Sequence, residues 1–351
     1  MFGRDQVCGA TLEVRARQVV NATGVWNDAV KGLDEAGLAP SVRPNKGIHV
    51  IVPRLRLPLH AAVDFPAVGP KRTMYAVPWR QTCLIGTTDD DYAGDLDAVH
   101  ALSEEVDWIL TSANRTFAGA NLIGADVIST FAGLRPLVGS GTEAAYRAPR
   151  EHHVSISKTG LISIAGGKLT THRAMAKDVV DRVADQLERR VPCRTSREPL
   201  DAQAATPEAL AALTSGLEAM AGAADHDGVQ HLVATYGSDS WQVLRLMGEQ
   251  PALKRRIVDS LPYTFAEVAH AVSHEMASTL SDVLIRRLRL IHEAPQQALP
   301  QAKAVAAFMA PYLGWSTAEQ ARQVAAYQEQ VALTRKFEAA SQRSGGQLGR
   351  A

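Results

Sequence analysis

The spacing of hydrophobic and polar residues changes character at about residue 190 of the chain. Before that point, short apolar runs of the kind that form strands are interspersed with segments whose apolar residues recur at helical spacing. The first 190 residues therefore predict a mixed α/β region. The predicted strands cover residues 11–15, 18–22, 48–52, 82–87, 153–157 and 161–165, and the predicted helices cover residues 25–36, residues 102–117 and a segment after Lys168.

Beyond residue 210 the strand pattern gives way to alanine-rich helical patterns. Three prolines and many polar residues precede this change, which is typical of a linker. Apolar residues that recur every three or four positions from Phe265 to Leu288 predict one long amphipathic helix with a basic end. The final residues are polar and glycine-rich, which predicts disorder. The predicted organisation is a first domain at residues 1–191, a linker at 192–210, a helical domain at 211–337 and a disordered tail at 338–351.

The chain has 37 lysines and arginines and 37 aspartates and glutamates, so its formal net charge is +0. This balance favours neither nucleic acid nor an anionic membrane surface as a partner. The 3 cysteines are far apart and match neither a disulfide framework nor a metal-binding spacing, so we expect a reducing, cytoplasmic location and no bound metal. No apolar run reaches the roughly 18 residues that a membrane-spanning helix needs.

The most informative segment is IAGGKLTTHR, residues 164–173, at the end of a short apolar run. It combines a glycine pair, one lysine and the start of a helix. A strand followed by a glycine turn and a helix N-terminus presents bare backbone N–H groups to an anionic ligand. The helix dipole adds roughly half a positive charge there, and Lys168 adds a full one. The segment therefore predicts a site for an anion or an anionic cofactor.

Two further motifs leave a structural and a functional interpretation open. RPNKGIHVIVP, residues 43–53, places Lys46 and His49 at the entrance of a strand. Since the unperturbed pKa of histidine lies near about 6.5, His49 suits general acid–base chemistry, and a hydrogen-bonded structural histidine is the alternative. FAGLRPLVGSG, residues 131–141, places Arg135 in an apolar segment. There it is either ion-paired in the core or directed at a ligand carboxylate or phosphate.

Two other motifs mark strand ends. VVNATGVW, residues 19–26, ends in small residues that let a cofactor lie against the strand, although any α/β strand can end in this way. LIGTTDDDY, residues 84–92, ends in three aspartates, for which we favour a solvated turn over a metal site because no further ligands have suitable spacing. His270, His274 and Glu275 lie about one helical turn apart but lack the order of a zinc motif.

In this order, VVNATGVW, RPNKGIHVIVP, IGTTDDDY, GLRPL and GGKLTTHRAMA resemble the FAD-dependent glycerol-3-phosphate dehydrogenases. The last string, residues 166–176, is similar to that family's signature, with His172 where many relatives carry tyrosine. HLVATYGSDSWQVL, YTFAEVAHAVSHEMASTLSDVLIRRLRL and WSTAEQARQVAAYQEQV resemble the family's helical C-terminal domain. The resemblance covers nearly the whole chain apart from the tail.

The resemblance implies a FAD/NAD(P)-binding, D-amino acid oxidase-like mixed sheet, incomplete at its start, followed by an all-α C-terminal domain. It implies FAD as the cofactor. It also implies that His49 is the catalytic base, that Arg135 orients the substrate oxygen, and that both residues contact the substrate together with Lys168. The implied cofactor contacts are Ala22, Thr23, Gly24, Trp26, Gly166, Gly167, Lys168, Leu169, Thr170 and Thr171.

In such enzymes glycerol 3-phosphate gives up its carbinol hydrogen as hydride to the flavin, and dihydroxyacetone phosphate leaves. The reduced flavin then passes electrons to a membrane quinone, which implies peripheral contact with the inner face of the cell membrane. Lys168 and Arg135 are the implied cations for the substrate phosphate. The helix N-terminus at residues 169–171 is the implied stabiliser of the negative charge on the reduced flavin.

One departure from the family concerns the start of the chain. The family begins with a strand, a G-x-G-x-x-G turn and a helix that hold the FAD diphosphate, and this sequence has no such pattern. The first predicted strands also have no leading element to pair with. We therefore expect a truncated chain that binds FAD poorly by itself. Two alternatives stay open: a related glycerophosphate oxidase that uses oxygen, and a catalytically silent fragment that persists as a helical binding module.

Overall fold

The computed structural model describes residues 2–5, 9–69, 72–139, 151–200, 206–221 and 226–338. The chain divides into two compact units, one formed by Met1–Arg197 with Arg335–Ala351 and the other by Glu198–Thr334. The predicted tail, apart from Glu338, lies outside the described residues, as does Cys8. The predicted domain boundaries, with a linker at 192–210, stay predictions.

The first unit combines strands with three α-helices in its described ranges. The helices are α1 (Asn27–Asp34), α2 (Ser103–Thr116) and α3 (His172–Gln186). The strands are β1 (Phe2–Arg4), β2 (Thr11–Glu13), β3 (Val20–Asn21), β4 (Val42–Pro53), β5 (Val63–Pro66), β6 (Thr73–Trp79), β7 (Thr82–Gly86), β8 (Asp90–Asp91), β9 (Ser129–Val138), β10 (His152–Ile156) and β11 (Ile162–Gly166).

The larger sheet is built around β4. Its strand order is β5-β6-β7-β4-β8, and β9 also pairs with β4 in antiparallel fashion. Ile48 and Val50 on β4 are fully buried in a core that includes Val106 and Ile109 of α2. Each such buried side chain stabilises the fold by roughly 1.5–3 kcal/mol. Because alternate residues of a strand point to opposite faces, the face opposite Ile48 and Val50 carries the odd-numbered residues of β4, including His49.

A smaller sheet has the order β10-β11-β3. Strand β11 pairs antiparallel with β10, so the predicted strands 153–157 and 161–165 form a hairpin, and it pairs parallel with β3. Ile162 and Ile164 of β11 pack against Val179 of α3. Since β3 and β11 are parallel, their carboxyl ends lie at the same edge of the sheet. The two motifs that follow these strands are thereby brought to one place.

The regular elements in the described residues of the second unit are helices, apart from an isolated bridge between Arg256 and Thr264. Its core contains the fully buried Leu280, Leu284 and Leu288. No helix in the described part of the chain is long and apolar enough to cross a membrane. The α-helices of this unit are α4 (Pro207–Ala221), α5 (His226–Tyr236), α6 (Ser240–Glu249), α7 (Phe265–His274), α8 (Leu290–Glu293), α9 (Leu299–Leu313) and α10 (Thr317–Thr334).

The predicted fold class, a mixed α/β region followed by helices, is confirmed. Several strands were missed, among them β5, β6 and β9, and β4 is longer than predicted. The expectation that the first strands have no leading partner is wrong, because β1 precedes β2 and pairs with it.

The predicted long helix from Phe265 to Leu288 is also wrong. Helix α7 ends at His274, and Met276 adopts a left-handed conformation with φ of 56°. The next segment begins with its own capping box: the backbone N–H of Thr279 donates to the Asp282 carboxylate at 2.9 Å, and the N–H of Asp282 donates to the Thr279 hydroxyl at 3.0 Å. Such reciprocal bonds start a new helix, so the apolar repeat runs across two helices.

Candidate functional site

Strands β4 and β9 are neighbours in the larger sheet, and the site lies on the sheet face that points away from α2. The register pairs Asn45 with Arg135 and His49 with Phe131. Because side chains alternate along each strand, these four residues share one face of the sheet. The imidazole ring of His49 stacks on the ring of Phe131 with a centroid distance of 4.8 Å. The fold thus brings His49 and Arg135, the two predicted catalytic residues, to the same face.

The guanidinium of Arg135 is held by acceptors from two directions. Its Nη1 donates to Oδ1 of Asn45 at 2.8 Å, and its Nη2 donates to the Thr87 hydroxyl and the Thr88 carbonyl, each at 3.3 Å. Nη1 also lies 3.5 Å from a carboxylate oxygen of Asp89, and the Arg135 side chain remains 29% exposed. The sequence left open whether Arg135 is ion-paired or directed at a ligand. In the structure it is ion-paired, and its exposed part can still be reached by a ligand.

The acceptors from residues 87–89 are available because this segment leaves the β-ladder. Strand β7 pairs with β4 as far as Gly86 opposite His49, and β8 resumes pairing at Asp90. Between them the N–H of Ile48 donates to the hydroxyl of Thr88 at 3.0 Å, in place of a ladder bond. The Thr88 carbonyl is consequently directed at Arg135.

Two glycines leave space for the side chains of Arg135 and His49. A Cβ atom at Gly47 would lie 2.4 Å from Nη2 and 2.6 Å from Nη1 of Arg135, so the guanidinium occupies the space of a missing side chain. A Cβ atom at Gly86 would lie 2.5 Å from Cδ2 of His49. Any larger residue would force the functional side chain to shift, since real Cβ atoms do not approach other heavy atoms so closely.

The pKa of His49 is lowered to about 4, first by burial and second by the positive charge of Arg135. Both effects disfavour the imidazolium ion. His49 is therefore neutral at pH 7 and has a nitrogen lone pair with which to accept a proton. Its Nδ1 is buried and has no hydrogen-bond partner among the described residues.

The neighbouring charged residues of the motifs have structural partners. Lys46 points to the other face of β4 and forms a buried ion pair with Glu105 at 2.8 Å, which favours the structural interpretation of this lysine. Of the three aspartates, Asp89 faces Arg135, and the other two form the short edge strand β8. The solvated turn predicted for the aspartates is thus in part an ordered strand.

A second part of the site lies where β3 and β11 end. Asn21 donates through Nδ2 to the backbone carbonyl of Asn27 at 3.0 Å, and Asn27 donates to the carbonyl of Ile164 on β11 at 2.9 Å. Both asparagines are buried. These bonds hold the turn formed by residues 22–26 against the end of β11, where the glycine pair begins.

The described residues of that turn leave room for a ligand. Gly24 adopts φ of +61°, and a Cβ atom there would meet no heavy atom within 4 Å. Trp26 is 43% exposed, which is unusual for a large aromatic side chain. The 3-10 turn Gly24–Trp26 contacts β4, β9 and β11. Ala22, Thr23, Gly24 and Trp26 thus lie beside strands that carry the rest of the site.

The glycine pair makes the sharp turn that the sequence predicted. Gly166 and Gly167 adopt φ of +78° and +83°, a region that favours glycine. A Cβ atom at Gly166 would lie 2.5 Å from the carbonyl oxygen of Glu151 and 3.1 Å from Val138, the last residue of β9. The strand that carries Arg135 therefore ends at the glycine turn.

The residues after the glycines are exposed. Lys168 caps a 3-10 turn formed by Leu169–Thr171, and the Thr171 hydroxyl donates to the Lys168 carbonyl at 3.0 Å. Leu169 is 88% exposed, and Lys168, Thr170 and Thr171 are exposed too. The turn runs directly into α3, so its N–H groups lie at a helix N-terminus. The proximity of Lys168 to Arg135 in a bound complex stays a prediction.

Several residues of the site were not singled out from the sequence, namely Asn21, Asn27, Asn45, Gly47, Gly86 and Thr87. In the sequence they are asparagine, glycine and threonine residues that lie within motifs chosen for other residues or, for Asn27, directly after such a motif. In the described part of the chain no group of histidine, cysteine, aspartate and glutamate is arranged to hold a metal ion.

Two family models match the sequence. Residues 3–182 match the model described as FAD dependent oxidoreductase. Residues 158–320 match the model described as the C-terminal domain of alpha-glycerophosphate oxidase. The two matches overlap across the glycine turn and together cover most of the chain.

Named relatives agree with these models. The chain is 36% identical over 337 residues to a protein from Mycobacterium tuberculosis named glycerol-3-phosphate dehydrogenase 2, covering 93% of this chain and 55% of the relative. It is 31% identical over 350 residues to the human mitochondrial glycerol-3-phosphate dehydrogenase, covering 95% of this chain and 45% of the relative. The chain thus spans about half the length of these relatives.

A solved structure supports the same grouping. The glycerol-3-phosphate dehydrogenase of Bacillus halodurans, complexed with FAD, superposes with a TM-score of 0.84 at 29% identity. The match covers 96% of this chain and 66% of that structure.

Proposed function

This chain belongs to the FAD-dependent oxidoreductase family, and from that premise we propose that it takes part in the oxidation of glycerol 3-phosphate to dihydroxyacetone phosphate. The observation that carries the proposal is the pairing of a neutral, half-buried His49 with the partly exposed guanidinium of Arg135 on one face of the sheet. A base next to a fixed cation suits removal of a proton from an alcohol, because the cation stabilises the oxygen as negative charge develops.

The proposed cofactor is FAD, and the chain offers it two exposed turns at one sheet edge. The first turn would contribute Ala22, Thr23, Gly24 and Trp26, and the second would contribute residues 166–171. Open space at Gly24 and the exposed ring of Trp26 fit a flat ligand that approaches the backbone closely. When bound, FAD supplies the acceptor for the hydride. The N–H groups that open α3 would face the negative charge that reduction leaves.

The proposed role of His49 is to accept the hydroxyl proton on an imidazole nitrogen. Burial and Arg135 keep the imidazole unprotonated at neutral pH, and stacking on Phe131 fixes the plane of the ring. Arg135 would orient the same substrate oxygen through the part of its guanidinium that remains exposed. Binding a substrate phosphate nearby would raise the affinity of His49 for a proton, since an anion favours the imidazolium ion.

The proposed cation for the substrate phosphate is Lys168. Its exposed position on the turn before α3 combines a full charge with backbone N–H groups at a helix N-terminus, the arrangement that favours phosphate binding.

We propose a quinone as the electron acceptor, with peripheral contact at the inner face of the membrane. The basic turn near residues 286–289 gives this contact little support, because Arg286 pairs with Asp282 at 2.8 Å and Arg287 pairs with Glu275 at 3.7 Å. A specific observation favours oxygen as the alternative acceptor: residues 158–320 match a domain model named after an oxidase.

The test uses the full chain with added FAD under anaerobic conditions. Glycerol 3-phosphate should bleach the visible absorbance of bound flavin, whereas glycerol, which lacks the phosphate, should leave it unchanged. Reoxidation by a quinone analogue and by oxygen, measured in parallel, then distinguishes the two acceptors. Bound flavin that resists glycerol 3-phosphate would contradict the proposed substrate. A chain that takes up no FAD would contradict the proposed cofactor and favour a catalytically silent binding module.

A further inference from the structure

Asn45 is a buried polar residue at the centre of the site. It has no exposed surface and lies on β4 directly opposite Arg135 on β9. Its Oδ1 accepts a hydrogen bond from Nη1 of Arg135 at 2.8 Å. Its Nδ2 is buried without a hydrogen-bond partner among the described residues.

This arrangement is energetically costly for an asparagine that serves packing alone. A buried donor that lacks an acceptor costs about 1–3 kcal/mol, and an apolar residue of similar volume would avoid that cost. Among the described residues, the one hydrogen bond of the Asn45 side-chain amide is the bond it accepts from Arg135, and a hydrogen bond to a charged group is worth about 1.5–3 kcal/mol. The stabilisation that Asn45 contributes through its side chain therefore depends on the position of the Arg135 guanidinium.

The contacts of Arg135 with residues 87–89 are longer than its contact with Asn45. Those to Thr87 and Thr88 are 3.3 Å long, and the Asp89 carboxylate lies 3.5 Å away. Gly47 removes the steric barrier between the arginine and Asn45, because the guanidinium occupies the space of its missing Cβ. The side chain is long, flexible and partly exposed, so a weakened contact would allow it to turn toward solvent.

We infer that Asn45 is a positioning residue that holds the guanidinium of Arg135 over Gly47 and beside His49. The inference rests on the proposed function for its catalytic meaning, whereas the geometric relationship among these residues can be tested without turnover. Asn45 does not face the ligand, since its polar atoms are buried. It acts on the reaction through the place at which Arg135 presents its charge.

The charge of Arg135 gives a direct readout of its position. Burial lowers the pKa of His49 first, and the positive charge of Arg135 lowers it further. If the guanidinium leaves its place over Gly47, the imidazolium ion becomes less unfavourable and the pKa of His49 rises. A purely structural role of Asn45 would leave that pKa unchanged as long as the fold is intact.

The experiment measures the pKa of His49 by NMR in the full chain and in four variants. The variants are Asn45→Ala, Arg135→Gln, the double variant of the two, and Asn114→Ala as a matched control. Asn114 belongs to α2 and bonds to the backbone of Leu122 through both amide atoms. Its loss removes comparable hydrogen bonds without touching Arg135.

Asn45→Ala should raise the pKa of His49 by roughly half to one unit, the size expected when a like charge leaves a partly buried neighbour. Arg135→Gln should raise it at least as far, and Asn45→Ala should add nothing in that background. Asn114→Ala should leave it unchanged. If Asn45→Ala does not fold, Asn45→Ser keeps a polar group at the buried position and is expected to act in the same direction.

An unchanged His49 pKa in a folded Asn45 variant would overturn the inference, and so would an unchanged pKa in Arg135→Gln. Titration of the same proteins with glycerol 3-phosphate separates this inference from the proposed function. Failure of the parent chain to bind glycerol 3-phosphate contradicts the function alone, because the pKa comparison still decides whether Asn45 holds Arg135. Where binding occurs, Asn45→Ala should weaken it about tenfold through loss of an oriented cation.

Discussion

Arg135 lies across Gly47, with its Nη2 at 2.4 Å from the position that a Cβ atom of residue 47 would occupy. The contact joins the motif around His49 to the motif around Arg135, and its two residues, Gly47 and Arg135, are 88 positions apart in sequence. The absent side chain is thus as specific a feature of the site as the charged one. It allows the guanidinium to reach Asn45 on one side and residues 87–89 on the other.

We predict that Gly47→Ala displaces Arg135 without unfolding the chain. The φ of Gly47 lies outside the positive range, and the atoms that would clash belong to the end of a flexible side chain. Affinity for glycerol 3-phosphate, measured by isothermal titration calorimetry, should fall about tenfold or more as the oriented cation is lost. Gly133→Ala is the matched control, because Gly133 pairs with Gly47 across the two strands and its Cβ would meet no atom within 4 Å. Equal affinity in both variants would contradict the prediction.

We predict that His49 makes the stability of the first unit dependent on pH. Burial lowers its pKa from 6.5 to about 4, so between these values the unfolded chain binds a proton that the folded chain does not. Stability must then fall as the pH falls through this window. A shift of this size corresponds to about 3 kcal/mol.

Hydrogen exchange at the β4 amides measures this effect. Between pH 6.5 and 4, His49→Asn should lose less protection at Val50 than the parent chain does. Amides of α7, in the other unit, should be unaffected by the substitution. Identical pH dependence of Val50 in the two proteins would show that His49 is readily protonated in the folded state.

The fold could be predicted where a periodic pattern coincided with a single element. The strands near residues 153–165 and the helix α2 had one apolar face each, and they were found. Strand β9 was not predicted because it contains glycine, arginine and proline, a combination that is more typical of a loop than of a strand. The long helix was overpredicted because the capping residues Thr279 and Asp282 lay within an unbroken apolar repeat, and a local capping preference outweighed that repeat.

The site could be predicted in its chemistry more readily than in its geometry. Histidine, arginine and lysine can be recognised as candidate site residues from their side-chain chemistry, and the glycine pair predicts a turn. Asn45, Gly47 and Gly86 matter only because strand register places them against Arg135 and His49. Register between distant strands depends on tertiary pairing, which a single sequence does not display.

We predict that Lys168 binds the phosphate of the substrate. Lys168→Ala should raise the dissociation constant for glycerol 3-phosphate about tenfold or more, because a charge-assisted contact to a dianion is lost. Lys158→Ala is the control: that lysine is also exposed and lies on the neighbouring hairpin, where it pairs with Glu35 at 3.2 Å. The affinities should be compared at fixed low ionic strength. An unchanged constant for Lys168→Ala would remove this lysine from the phosphate role.

We predict that the stability of the helical unit depends on the carboxylate of Glu267, which has no exposed surface. One oxygen accepts bonds from Nε2 of His231 at 2.7 Å and from the Tyr236 hydroxyl at 3.2 Å, and the other accepts the N–H of Thr264 at 2.7 Å. The same carboxylate therefore caps α7 and joins it to α5. Glu267→Gln keeps the volume but turns an N–H₂ group toward donors, so the free energy of unfolding should fall by about 1–3 kcal/mol.

Glu267→Ala leaves all of those donors buried and adds a cavity, and its loss should reach about 3–5 kcal/mol. Urea denaturation followed by far-ultraviolet circular dichroism measures both variants. Glu319→Gln is the control, since Glu319 accepts bonds from Arg322 and Gln323 near the start of α10 but is partly exposed. Its loss should stay near or below about 1 kcal/mol. If Glu267→Gln were as stable as the parent chain, the buried donors would have to find other acceptors, and the carboxylate would not be what joins the two helices.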